Sequence, residues 1–286
     1  MSLSLILISV AILGGVALTF AILISLANKK FSVWEDPRIE AVNEMLPGTN
    51  CGACGSAGCR AFAEEVIAGQ KAPAECTQLD EEGILGVADF LSVEAGEAVK
   101  RVARLLCAGG SDVTLRLAEY RGLETCGAAA AVAAGGKACA WACLGLADCE
   151  RSCDYDAIYM NRNGLPVVIP DLCTACGDCV EACPRDLFTL MPIDQQLIVQ
   201  CRNLLEGDEA EALCAVACTG CGLCVQDAAP GLIEIVNGLA VIDYSKNELA
   251  DPAATSRCPT DAIVWVVGQQ RFTSETKPQP AGSEAA

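Results

Sequence analysis

Cys173-Thr174-Ala175-Cys176-Gly177-Asp178-Cys179-Val180-Glu181-Ala182-Cys183-Pro184 is the stretch that decides the fold. Its spacing is C-x2-C-x2-C-x3-C-P, in which three thiolates hold one iron–sulfur cluster and the fourth ligates another. Cys173, Cys176 and Cys179 therefore need a donor elsewhere, and Cys183 must serve a second trio. An upstream group answers: Cys139, Cys143, Cys149 and Cys153, spaced C-x3-C-x5-C-x3-C. The crossed assignment gives Cys139, Cys143, Cys149 and Cys183 to one cluster, and Cys153, Cys173, Cys176 and Cys179 to the other. Between the two groups, AIYMNRNGLPVVI (157–169) reads as a β-hairpin turning at Asn163-Gly164.

Moving along the chain by 75 residues brings the pattern back. Cys126 falls on Cys201, Cys139 on Cys214, Cys143 on Cys218, Cys149 on Cys224, and Cys183 on Cys258, which again precedes proline. The hairpin recurs as LIEIVNGLAVIDY (232–244). Cys153, however, falls on Ala228, and Cys173, Cys176 and Cys179 fall on Glu248, Asp251 and Ala254. The lost positions are the whole ligand set of one crossed cluster, so the second copy keeps one cluster with Cys258 as a ligand. Its other ligands come from Cys214, Cys218, Cys221 and Cys224, one more than needed. The C-x2-C-x2-C spacing favours Cys218, Cys221 and Cys224, whereas equivalence with the first copy favours Cys214, Cys218 and Cys224; the first set is preferred. Cys107, Cys126, Cys201 and Cys214 are then left over, as alternative ligands or as small buried hydrophobes.

Nearer the N-terminus, LPGTNCGACGSAGC (46–59) and Cys76 place Cys51, Cys54, Cys59 and Cys76 at C-x2-C-x4-C-x16-C. Glycines let backbone N–H groups approach the sulfurs, and a four-cysteine zinc site would normally show two CxxC pairs. Residues 60–69 read as a helix returning the chain toward Cys76. Residues 81–106, with ILGVADFL and VKRVARLL, read as helical packing or linker.

Composition narrows the chemistry. The chain has 286 residues, 20 cysteines and no histidine, which excludes Cys/His zinc sites, Ser-His-Asp triads and histidine-ligated haem. Thiolates select iron–sulfur clusters, zinc or Cu(I). A net charge of −18 argues against nucleic acid as a partner and against attraction to anionic lipid. Membrane contact must come from insertion, and Leu3 to Ala27 carries no charge. That run is longer than a signal peptide's apolar stretch of about 7–15 residues. Lys29 and Lys30 follow it, which places the bulk of the chain in the cytoplasm, where thiols stay reduced. No G-x-G-x-x-G opens a helix, no phosphate loop is present, and no nucleophile is paired with a base. No catalytic residue is assigned.

The expected architecture is α+β: a transmembrane anchor (1–30), a four-cysteine [4Fe-4S] domain (31–80), a helical linker region (81–125), a two-cluster ferredoxin-like module (126–195), a degenerate one-cluster ferredoxin-like module (196–270) and a disordered polar tail (271–286). About four [4Fe-4S] clusters are expected, and the chain reads as a membrane-bound electron wire.

This order of parts, with LPGTNCGACGSAGC, KACAWACLGLADC (137–149) and VIPDLCTACGDCVEACP (168–184), resembles the B subunit of the Rnf complex, the ion-translocating ferredoxin:NAD oxidoreductase of bacterial membranes. The resemblance covers nearly the whole chain to about residue 268. Asp154 stands where the family usually has proline, and one cluster of the second module is missing. The resemblance implies a single-pass protein of the bacterial inner membrane. It implies a component of a translocase that takes electrons from soluble reduced ferredoxin and hands them to partner subunits of a membrane redox complex. Those partners would be integral flavin- and iron-bearing proteins and an NAD-binding peripheral one. The alternatives are a cluster subunit of another membrane dehydrogenase or hydrogenase, and a cysteine-rich zinc or metal-storage protein. A corrinoid-protein component, whose cluster domain is similar, is set aside because no histidine is present.

Overall fold

A computed structural model describes residues 3–31, 36–97 and 99–272. The expected disordered tail lies almost wholly outside the described residues. The first helix, α1 (Leu3–Phe31), ends in Lys29 and Lys30. Its segment Val10–Lys30 has a mean hydropathy of 2.5 and no part of it is buried. A helix of 29 residues reaches about 43 Å at about 1.5 Å per residue, enough to cross a bilayer core of about 30 Å.

A small helical domain follows. Asp36 caps α2 (Pro37–Met45), with proline at its first position and the Asp36 carboxylate accepting from the Arg38 N–H. Next come α3 (Cys59–Ile67) and α4 (Glu81–Leu91), the latter capped by Asp80. Val42, Phe62, Val66 and Val87 from these three helices close one core, with Cys54, Cys59 and Cys76 packed against it.

The second half of the expected helical linker behaves differently. Residues 101–105 form strand β1 (Arg101–Leu105), whose alternate packing on both faces leaves four of its five residues buried. The apolar run was too short for periodicity alone to separate strand from helix. β1 belongs to the first ferredoxin-like module, so that module opens before residue 126. A short helix, α5 (Cys126–Ala131), is capped by Thr125. β2 (Ile158–Met160) and β3 (Pro166–Val168) make the first hairpin. β4 (Phe188–Pro192) returns to pair antiparallel with β1, Leu105 opposite Phe188.

The second module repeats this plan. β5 (Leu197–Val199) pairs antiparallel with β8 (Ile263–Trp265), Val199 opposite Ile263. Between them β6 (Ile233–Val236) and β7 (Leu239–Ile242) form the second hairpin, turning at Asn237-Gly238 with both residues at positive φ. Leu105 and Val199 are therefore equivalent positions. Among the described residues the four sheets are all two-stranded, and the core residues around them, Leu165, Leu187, Leu197 and Leu232, pack against cysteines in both modules.

Candidate metal centres

Cysteines line four nearly equal hollows of about 300–350 Å³. One is walled by Cys153, Cys173, Cys176 and Cys179, with Ala103 of β1 and Tyr155 at its margin. Another is walled by Cys218, Cys221, Cys224 and Cys258, the preferred set for the second module, and Cys221 is exposed there. The third departs from expectation: Cys143, Cys149 and Cys183 are joined by Cys126, not by Cys139. The loop from 107 to 137 brings the capped start of α5 against this site, where the Asp148 carboxylate accepts from the Gly127 N–H at 3.1 Å. Cys139 lines the fourth hollow instead, with Cys107, Cys201 and Cys214. Three of these four thiols were assigned to no cluster by spacing.

The N-terminal set sits on its own loop. Cys59 opens α3, and its N–H donates to the Asn50 side chain at 2.9 Å. Lys71 ties the loop together by donating to the Cys54 carbonyl and to Ser56 Oγ, while pairing with Glu65 at 3.1 Å. Cys51 and Cys54 both act electrostatically on the Cys76 thiol, whose pKa is raised chiefly by burial.

Burial is the main influence on the ferredoxin-module thiols as well. It pushes Cys143, Cys179 and Cys201 up to about 12, Cys214 and Cys224 up to about 11, and raises Cys139, Cys149 and Cys176. Bare thiolates are thus disfavoured, and a cationic iron core offsets the cost of their charge. Among the described residues, no three Cys, Asp or Glu side chains gather closely enough to hold a single metal ion. The thiols instead surround hollows, a spacing suited to a polynuclear core and not to one zinc ion with Zn–S bonds of about 2.3 Å. Backbone N–H groups reach the sulfurs: Leu187 donates to Cys183 at 3.5 Å, Asn203 to Cys201 at 3.4 Å and Cys143 to Cys107 at 3.4 Å. An all-thiolate donor set with N–H···S bonds fits [4Fe-4S] clusters.

The sites adjoin one another. Thr77 of the N-terminal domain donates to the Thr174 carbonyl at 3.0 Å, and the Tyr155 hydroxyl feels both Cys51 and Cys176. Cys149 feels Cys179 across the next boundary. Adjoining thiol-lined sites of this kind define a class: an iron–sulfur electron-transfer protein with several clusters.

Comparison with known proteins narrows the class. A family model described as "Putative Fe-S cluster" matches residues 46–78, and one described as "4Fe-4S binding domain" matches residues 166–189. The B subunit of the Na(+)-translocating ferredoxin:NAD(+) oxidoreductase complex of Acetobacterium woodii is 40% identical over 90% of this chain and 77% of its own length. The B subunit of an ion-translocating oxidoreductase complex of Methanosarcina acetivorans is 35% identical, over 89% of this chain and 96% of its own. In Clostridium ljungdahlii, the B subunit of a proton-translocating ferredoxin:NAD(+) oxidoreductase complex is 33% identical, over 94% and 95%. The chain belongs to this family, the B subunits of ion-translocating oxidoreductase complexes. It is an iron–sulfur electron-transfer subunit carrying several [4Fe-4S] clusters.

Proposed function

We propose that this chain carries electrons from reduced ferredoxin to membrane-bound partner subunits of an ion-translocating ferredoxin:NAD oxidoreductase. Four clusters would be held by Cys51, Cys54, Cys59 and Cys76; by Cys153, Cys173, Cys176 and Cys179; by Cys126, Cys143, Cys149 and Cys183; and by Cys218, Cys221, Cys224 and Cys258. The observation that carries this reading is the adjacency of separate four-thiol sites, from the N-terminal domain beside Thr174 onward. Bound there, a [4Fe-4S] cluster supplies one-electron chemistry, each site reduced by one electron as its neighbour is oxidised by one.

The chain's own residues do the rest. Thiolates fix the sites, burial keeps water out, and N–H donors to sulfur favour the more negative reduced state. Exposed Cys221 makes its site the one a soluble carrier reaches, while the N-terminal set lies next along the chain from the apolar helix. Electrons enter at the Cys221 end and leave near the membrane. Lys29 and Lys30, in the last turn of the apolar helix, support a cytoplasmic side for both ends.

The test is anaerobic mixing of the iron-loaded full chain with reduced ferredoxin, followed by loss of visible iron–sulfur absorption. Wild type bleaches rapidly, and Cys258→Ala bleaches much more slowly with ferredoxin while still bleaching with dithionite. Equal rates in the two proteins would sink the assigned entry point.

A further inference from the structure

We propose that Cys107, Cys139, Cys201 and Cys214 hold a further [4Fe-4S] cluster, shared by the two ferredoxin-like modules and joining their electron paths. This rests on the electron-transfer reading above and adds a site that neither matched family model covers.

The four thiols come from equivalent positions. Cys107 lies two residues beyond Leu105, and Cys201 two residues beyond Val199, the paired ends of β1 and β5. Cys139 and Cys214 share the 75-residue register. Their surroundings repeat too. Cys107 accepts from the N–H of Cys143, and Cys201 from that of Cys218, its equivalent. Backbone N–H groups of Trp141 and of its counterpart Val216 reach Cys139 and Cys214. Each module thus contributes the same two cysteines, held in the same way, as in an isologous interface. Two repeats placing matched pairs around one hollow are poorly explained by cysteine acting as a stray core residue.

The lining supplies what an anionic cluster needs. Asn203 is 1% exposed and lines the hollow, yet its Nδ2 has no hydrogen-bond partner among the described residues. Its Oδ1 is engaged by the Leu205 N–H, so the free amide N–H groups are donors suited to a sulfide. Orphaned buried donors are costly unless something meets them. Lys137 is 5% exposed, donates to the Gly109 carbonyl at 3.1 Å, and acts electrostatically on Cys139 and Cys143. Thr114 Oγ1 reaches Cys214 Sγ at 3.7 Å. The hollow, about 300 Å³, matches the other three.

Position gives the site its role. Cys143 belongs to one neighbouring site and bonds Cys107, and Cys218 belongs to the other and bonds Cys201. A cluster held by these four thiolates would take up one electron from the second module's site and give up one to the first module's.

The experiment measures iron and acid-labile sulfide in anaerobically purified full chain, wild type beside Cys107→Ala, Cys214→Ala and Cys258→Ala. Each of the first two loses about four iron and about four sulfide, as a four-iron cluster requires. Wild-type iron retained in both would overturn the proposal. Cys258→Ala loses its own four whatever the fate of this site, whereas a wild type without iron would sink the electron-transfer reading itself. Should the alanine variants lose all iron together, Asn203→Leu decides, because it spares every thiol. Full iron content with one redox component moved to lower potential supports the site; every component unmoved overturns it.

Discussion

Arg104 shows how one residue sets the chemistry of a neighbouring site. It is fully buried in β1, on the strand face opposite Ala103, which lines the hollow of Cys153, Cys173, Cys176 and Cys179. Its Nη1 donates to the Gly268 carbonyl at 2.8 Å, but Nε and Nη2 have no hydrogen-bond partner among the described residues. Burial lowers its pKa, and the Cys173 thiol opposes that. A buried charge within electrostatic reach of Cys173 would stabilise the reduced state of a cluster held there. Arg104→Met should therefore lower that cluster's midpoint potential by tens of millivolts, on the order expected for losing one such charge. Arg104→Lys should restore most of it. An EPR-monitored redox titration reads both, and an unmoved potential in Arg104→Met would contradict the role.

At the scale of elements, two of the cysteine loops rest on hairpin turns. Gly145, after Cys143, has φ +73, and a Cβ there would sit 2.8 Å from the Gly164 carbonyl oxygen. Gly220, between Cys218 and Cys221, has φ +66, and its Cβ would sit 2.8 Å from the Gly238 carbonyl oxygen. Since backbone cannot easily give way, Gly220→Ala should cost about 1–3 kcal/mol. It should also release the iron of the Cys218 site before the rest. Thermal denaturation with iron analysis of each fraction checks this, and wild-type melting with full iron would refute it. Both hairpins were legible from Asn-Gly between apolar runs, but only the second turns at that pair. The first closes from Asn161 to Gly164 around Arg162 and Asn163, with Gly164 alone of Asn163-Gly164 at positive φ. β1 was not legible: VKRVARLL has no turn signal, and its strand character depends on pairing with β4, nearly ninety residues away. That one misreading hid Cys107, because its equivalence to Cys201 exists only once β1 and β5 are seen as matching strands. Register instead paired Cys201 with Cys126, whereas the loop before α5 brings Cys126 to the site that spacing gave to Cys139. The signal that could have exposed this was an apolar run shortly before each cysteine, reaching Leu106 directly before Cys107 and Val199 two residues before Cys201.

For the whole molecule, the thiol sites form one row. It runs from the N-terminal set, past Tyr155, through the first module and the shared site, to the exposed Cys221 end. Two-stranded sheets alone are marginal in water, and metal bound by thiolates of the folded state would add its binding free energy to folding. Anaerobic removal of iron by a chelator should abolish the cooperative melting transition of the ferredoxin modules, as read by circular dichroism. A chain melting at the same temperature without iron would show that the sheets suffice. All 20 cysteines fall into five such sets once Cys107, Cys126, Cys201 and Cys214 are placed, and a single electron path requires all five to be neighbours. The most direct test is the integrated EPR spectrum of the fully reduced full chain. A continuous path of five clusters gives about five spins per chain, with lines broadened by coupling between adjacent clusters. Sharp signals from isolated clusters, at whatever total, would contradict a continuous path.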